Sequence, residues 1–116
     1  MAAALNVLGS RAGRRVAVLG DMLELGMCTT AEHYRIGRIA AEKADLLLAY
    51  GPNSSRVVSG ALTGGMSDAR AKGFEDKAAL VAVLKQAAKP GDVILFKGSH
   101  GMHMELVLED FLRDET

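Results

Sequence analysis

The chain has 116 residues, 49% hydrophobic and 24% charged, with 14 basic and 14 acidic side chains in balance. This is the composition of one globular domain with room for a core, and it excludes long-range attraction to nucleic acid or an anionic membrane. No apolar run reaches the ~20 residues of a membrane-spanning helix, and the single cysteine, Cys28, excludes an internal disulfide and fits a reducing compartment.

Met1, Ala4, Leu5 and Leu8 recur at helical spacing, and Gly9 can end that helix. The segment lacks the charged start and long apolar run of a signal peptide. A strand follows over Arg15–Gly20. Thr29-x-x-Glu32 has the form of a capping box and opens a helix to Lys43, with His33, Ile36, Ala40 and Ala44 inward. The next strand is Asp45–Gly51, and a helix over Ser54–Leu62 turns Val57, Val58, Ala61 and Leu62 inward. Thr63-Gly-Gly-Met-Ser67 reads as a flexible loop and Ala69–Phe74 as a weaker strand. A helix from Asp76 buries Leu80, Val83, Leu84 and Ala87 until Lys89-Pro90-Gly91 stops it. The last strand is Asp92–Gly98, and a helix after Gly101 buries Met104, Val107, Leu108 and Phe111.

Val16–Leu19 and Val93–Phe96 are apolar at every position, the pattern of strands buried on both faces in a parallel sheet. Strand and helix alternate throughout. The expected fold is α/β, a Rossmann-like three-layer sandwich with a mostly parallel sheet, forming a single domain over 1–116 with right-handed crossovers.

In such a sheet the carboxyl ends of the strands share one edge, where ligands bind. That edge collects Asp21 and Glu24 after the first strand, Asn53 after the second, and Lys97-Gly98-Ser99-His100 after the last, with His33 one turn into its helix. A carboxylate at Asp21 can hold Mg²⁺ through water or orient a ribose or phosphoryl group; it can equally cap a turn. Lys97 offers a point cation to a carboxylate or phosphate. Gly98 permits a sharp turn. Ser99 and the N–H groups after it can cradle an anion at a helix start, or Ser99 simply caps the last helix. Glu24 also reads as solvated and His33 as a packing histidine. His100 and His103, three apart with no third ligand, make a poor metal site. No G-x-x-x-x-G-K-[ST], no G-x-G-x-x-G after the first strand and no nucleophile elbow occurs. The chain carries anion-binding groups without a complete catalytic set.

The run Arg15-Val-Ala-Val-Leu-Gly-Asp-Met-Leu-Glu-Leu-Gly26, then Glu32-His33-x-x-x-Gly37, then Lys89-Pro-Gly-Asp-Val-Ile-Leu-Phe-Lys-Gly-Ser99 with Met104-Glu105, resembles the C-terminal domain of the Mur ligases over essentially the whole chain. Within that family it is most similar to the branch that adds D-Ala-D-Ala to UDP-MurNAc-tripeptide. The resemblance implies a bacterial cytoplasmic enzyme of peptidoglycan synthesis using ATP and Mg²⁺, both bound mainly by a central domain that is absent here together with the N-terminal one. It implies a catalytic Asp21 that approaches the nucleotide phosphates, and a Lys97-Gly98-Ser99 loop on the dipeptide side. His100 stands where the family often has Arg. A guanidinium stays charged whereas imidazole titrates near neutrality, so contact with a dipeptide carboxylate there would be weaker and pH-dependent. The family's Asn-x-Asn-Pro linker would lie just before Met1, so Met1 is expected to be internal to a longer protein, and the isolated chain to be inactive. Two other readings are a related ligase such as a folylpolyglutamate synthase, and a stand-alone Rossmann-like interaction domain.

Overall fold

A computed structural model describes residues 1–23 and 26–113, with His100 described by its backbone alone. The elements run α1 (Ala2–Gly9), β1 (Arg15–Gly20), a 3₁₀ turn (Gly26–Cys28), α2 (Thr29–Lys43), β2 (Leu46–Tyr50), α3 (Ser54–Thr63), β3 (Ala71–Phe74), α4 (Lys77–Ala87), β4 (Val93–Lys97), a second 3₁₀ turn (His100–Met102) and α5 (Met104–Leu112). The four strands form one sheet in the order β3-β2-β1-β4, and every pairing is parallel.

The alternation of side chains along each strand splits the core in two. Ala17, Leu19, Leu47 and Ala49 face Leu5 and Leu8 of α1, Ile36 and Ala40 of α2, and Val57 and Ala61 of α3. Val16, Val18 and Leu48 face Leu80 and Leu84 of α4 and Met104 and Val107 of α5. The three-layer sandwich is therefore α1, α2 and α3 on one face, the sheet, and α4 and α5 on the other.

β1 and β4 carry the same apolar pattern and end in different places. Val16–Leu19 of β1 are fully buried between β2 and β4. Val93–Phe96 are only half-buried, because β4 is an edge strand. Its two faces are covered by α1 and α5, but one row of backbone groups stays open. An apolar run reports coverage of faces and carries no information about edges.

Other local expectations are corrected. The capping box is not formed: Cys28 is the N-cap of α2, and the Thr29 hydroxyl donates back to Gly26 O at 2.8 Å. The preceding 3₁₀ turn already places Thr29 inside the helix. Thr63–Ser67 is not a flexible loop. Met66 N–H donates to Ala61 O and Gly65 N–H to Leu62 O, with Gly65 at φ +102, which is a Schellman closure of α3. Leu62 and Leu108, expected inward, are exposed, while Val81 and Gly37 are buried.

At the amino edge of the sheet Arg14 grips Asp92 with two bonds, Nε to Oδ1 at 3.1 Å and Nη2 to Oδ2 at 2.7 Å, and also donates to Ala87 O. Lys89 N–H donates to the same carboxylate at 2.8 Å, which locks the turn between α4 and β4. The Arg14 guanidinium, and then the Lys89 N–H, hold the Asp92 carboxyl below the usual range. The Arg15 backbone N–H does so for Asp45, and the Lys77 ammonium for Asp110. A carboxyl depressed in the folded chain stabilises it above the unfolded-state pKa of about 4, and that contribution is lost as pH falls through the folded value. Asp92→Asn is therefore expected to lower the urea midpoint at pH 7. Its deficit against wild type should close below about pH 4. A deficit that stays constant down to acid pH would show that the carboxylate charge contributes nothing.

Candidate functional site

β1 leads to β2 and β3 by helices on one face, and the chain returns through α4 on the other face to set β4 against the free side of β1. The connections leaving the carboxyl ends of β1 and β4 therefore diverge, α2 to one face and α5 to the other. In open α/β sheets this divergence makes the ligand crevice. The loops that meet there are Asp21-Met22-Leu23 and Gly98-Ser99. They approach closely: a Cβ on Gly98 would lie 3.0 Å from the Gly20 Cα and 3.0 Å from the Met104 side chain.

Asp21 is 2% exposed and its carboxylate points inward. Both oxygens accept from Asn53 N–H at 3.1 Å, and Oδ2 also accepts from Asn53 Nδ2 at 2.7 Å. Asn53 is the N-cap of α3, so this carboxylate ties β1 to the start of α3. Gly51 makes room for it: its φ is +121, and a Cβ there would lie 2.6 Å from Asp21 Oδ1. Arg56 donates to Asn53 Oδ1. The sequence reading missed Arg56, although its three-residue spacing from Asn53 is a recognisable helix pair. The two donors of Asn53 engage both oxygens, so the buried carboxylate is turned toward the start of α3.

Ser99 binds the same segment from the other side. Its N–H donates to Asp21 O at 3.0 Å, and its Oγ accepts from Leu23 N–H at 2.7 Å. It neither caps nor opens the last helix. The His100–Met102 turn intervenes, and α5 starts at Met104 after His103, whose φ is 51 and which makes no side-chain cap. Since Ser99 Oγ accepts from Leu23, its own proton is free to point at a ligand. His33, 1% exposed, reaches the segment from α2.

The structure thus brings His33, Asn53 and Ser99 onto three consecutive residues, 21–23, the first of which is Asp21. Lys97 sits apart. It is exposed, makes no ion pair with the described residues, and with Gly98, Ser99 and Glu105 lines an open groove of about 460 Å³ whose apolar wall is Phe96, Met104 and Leu108. Glu105 was not among the expected site residues; the first turn of α5 puts it there. Glu24 and the His100 side chain lie outside the described residues. Among the described residues no cluster of three or more His, Cys, Asp or Glu could hold a metal. A larger groove, about 610 Å³, lies at the opposite edge beside Arg14, Asp45 and Lys89 and holds none of the candidates.

A family model described as the Mur ligase, glutamate ligase domain, matches residues 1–100. This chain belongs to the Mur ligase family. It is 37% identical over 101 residues to the UDP-N-acetylmuramoyl-tripeptide–D-alanyl-D-alanine ligase of Bacillus subtilis, covering 86% of this chain and 22% of that protein. It is 37% identical over 119 residues to the Escherichia coli enzyme of the same name, covering 100% and 25%. Among solved structures it is similar to MurF from Acinetobacter baumannii, with a TM-score of 0.82 at 34% identity over 94% of this chain and 24% of that one. It is also similar to the MurF ligase of Thermotoga maritima in complex with ADP, with a TM-score of 0.75 at 27% identity over 92% and 23%. The chain spans about a quarter of the length of the relatives it matches. In this Mur ligase domain the Gly20-Asp21-Met22-Leu23 and Lys97-Gly98-Ser99 segments flank the β1–β4 crevice, the point the topology alone marks out.

Proposed function

We propose that this Mur ligase domain is the C-terminal part of an ATP-dependent, ADP-forming ligase that adds D-Ala-D-Ala to UDP-MurNAc-tripeptide in the bacterial cytoplasm. The observation that carries the reading is the crevice itself, where the Gly-Asp-Met-Leu and Lys-Gly-Ser loops are tied together by Ser99. The reaction passes the ATP γ-phosphoryl group to the tripeptide carboxylate. The dipeptide amine then attacks the acyl carbon, phosphate leaves and a proton is released as the amide forms. This chain's part is to bind and orient. Lys97 provides a cation for the dipeptide carboxylate, and the Ser99 hydroxyl donates to an anion beside it. Asp21 acts at one remove by holding residues 21–23 against Asn53, with the central domain supplying the nucleotide and Mg²⁺. The names of the relatives favour this acceptor over that of a folylpolyglutamate synthase.

The test is an ADP-release assay on the chain joined to its native upstream sequence, with UDP-MurNAc-tripeptide, ATP and Mg²⁺. Release should require D-Ala-D-Ala. Lys97→Ala should raise the dipeptide KM by about tenfold or more, the loss of one charge-assisted contact, with the KM for ATP little changed. Release that ignores the dipeptide would replace this reading with a ligase for another amine. The 116-residue chain alone should give no turnover.

A further inference from the structure

The imidazole of His33 bridges two backbone groups. Its Nε2 lies 3.0 Å from Met22 N, and its Nδ1 lies 2.6 Å from Thr29 O. Met22 N–H can only donate and a carbonyl can only accept. Both bonds therefore exist together only in a neutral ring with its proton on Nδ1. The opposite tautomer sets donor against donor at Met22 and leaves Nδ1 with nothing to give Thr29.

The position of this bridge gives it consequence. The amides of three consecutive residues are held by three different elements: Asp21 N–H by Tyr50 O at the end of β2, Met22 N–H by His33 of α2, and Leu23 N–H by Ser99 after β4. His33 is the only one of the three holders whose ability to accept depends on where a proton sits. We propose that His33 is a positioning residue: as the neutral Nδ1–H tautomer it fixes residues 21–23 to the first turn of α2, and so sets the geometry in which the crevice meets the nucleotide. The anchoring half of this inference stands on the hydrogen bonds alone; its functional half rests on the ligase reading.

Three variants separate the ring's roles. In His33→Gln the amide Oε1 can take over the place of Nε2 and accept from Met22. His33→Asn keeps a donor for Thr29 but falls short of Met22. His33→Phe keeps the ring's shape and loses both bonds. In the ¹⁵N-histidine chain, long-range ¹H–¹⁵N spectra should show His33 protonated on Nδ1 only. Hydrogen exchange at the Met22 amide should speed up by about tenfold or more in the Asn and Phe variants, as expected when a partly buried donor loses its acceptor, and less in Gln. The Leu19 and Leu47 amides, deep in the core, check that each variant is folded. In the full-length ligase, kcat/KM for ATP should fall by about tenfold in Asn and Phe, and Gln should recover most of it.

An Nε2–H or doubly protonated His33 at neutral pH would overturn the proposal. So would Met22 exchange unaltered in both Asn and Phe. Unchanged ATP kinetics in an active ligase carrying His33→Phe would reduce the residue to packing. A wild-type full-length protein without ligase activity would count against the ligase reading, and the tautomer and exchange results would then decide the anchoring by themselves.

Discussion

Gly37→Ala and Gly60→Ala are each expected to destabilise the fold by about 3 kcal/mol or more, at or beyond the upper end of ordinary overpacking. At the crossing of α2 and α3 the two backbones touch. A Cβ on Gly37 would lie 1.9 Å from Val57 O, and one on Gly60 would lie 1.9 Å from Tyr34 O. Both obstacles are helix carbonyls, which cannot rotate aside like a side chain, so the helices must part. Parting them opens the layer where Ile36, Ala40, Val57 and Ala61 are buried. Without the clash the same change would help, since alanine is favoured over glycine inside a helix by about 1 kcal/mol. The sign is therefore decided by contact. Gly26→Ala is the control. Its φ is +59 and nothing lies within 4 Å, so only the left-handed conformation is penalised, by about 1–2 kcal/mol. Urea unfolding followed by circular dichroism reads all three. A Gly37→Ala chain as stable as wild type would mean that the helices do not meet backbone to backbone. The site would fail with the fold, because α2 carries His33 and Asn53 is the N-cap of α3.

Asp21→Ala should cost about 2–4 kcal/mol, since it removes the buried acceptor of both Asn53 donors at once. Asn53→Ala should cost less, because the backbone N–H at position 53 still donates to the carboxylate and only the Nδ2 bond is lost. The double variant should cost well under the sum, with a coupling of about 1–3 kcal/mol. This cycle also decides how Asp21 serves the reaction. A carboxylate that works through Asn53 should lose stability and turnover together. If Asp21→Ala removes turnover in the full-length enzyme while stability stays within about 0.5 kcal/mol, the carboxylate acts on the nucleotide directly, as the family resemblance first suggested.

The elements were legible because their signals are local. The strand spans from the sequence match the observed ones to within about two residues, as expected of runs bounded by Gly, Pro and caps. The helix expected from Asp76 starts there, with Asp76 as its N-cap accepting from Ala79 N–H at 3.1 Å. The capping box at Thr29 failed for a reason beyond its four residues: the Gly26–Cys28 turn shifted the helix start. The neighbours of Ser99 point to a cap or an anion cradle, whereas its partner, Leu23, is 76 residues away in the chain. Asp21 and Asn53 each stand out in the sequence as candidates, and nothing local marks them as partners.

By itself the sequence determined which segments become strands and helices, that the strands run parallel, and that Asp21, Asn53, Lys97 and Ser99 gather at one edge. Periodicity and chain direction are enough for that, since every βαβ unit delivers its strand's carboxyl end to the same side. Only the tertiary structure decided the rest: that β4 returns to the free side of β1 and makes the crevice there, that α2 and α3 touch at Gly37 and Gly60, and that the buried Asp21 holds Asn53 while Lys97 faces outward. Strand order, backbone contact and the direction of a buried side chain depend on groups distant in the chain, whose pairing leaves no periodic mark along it.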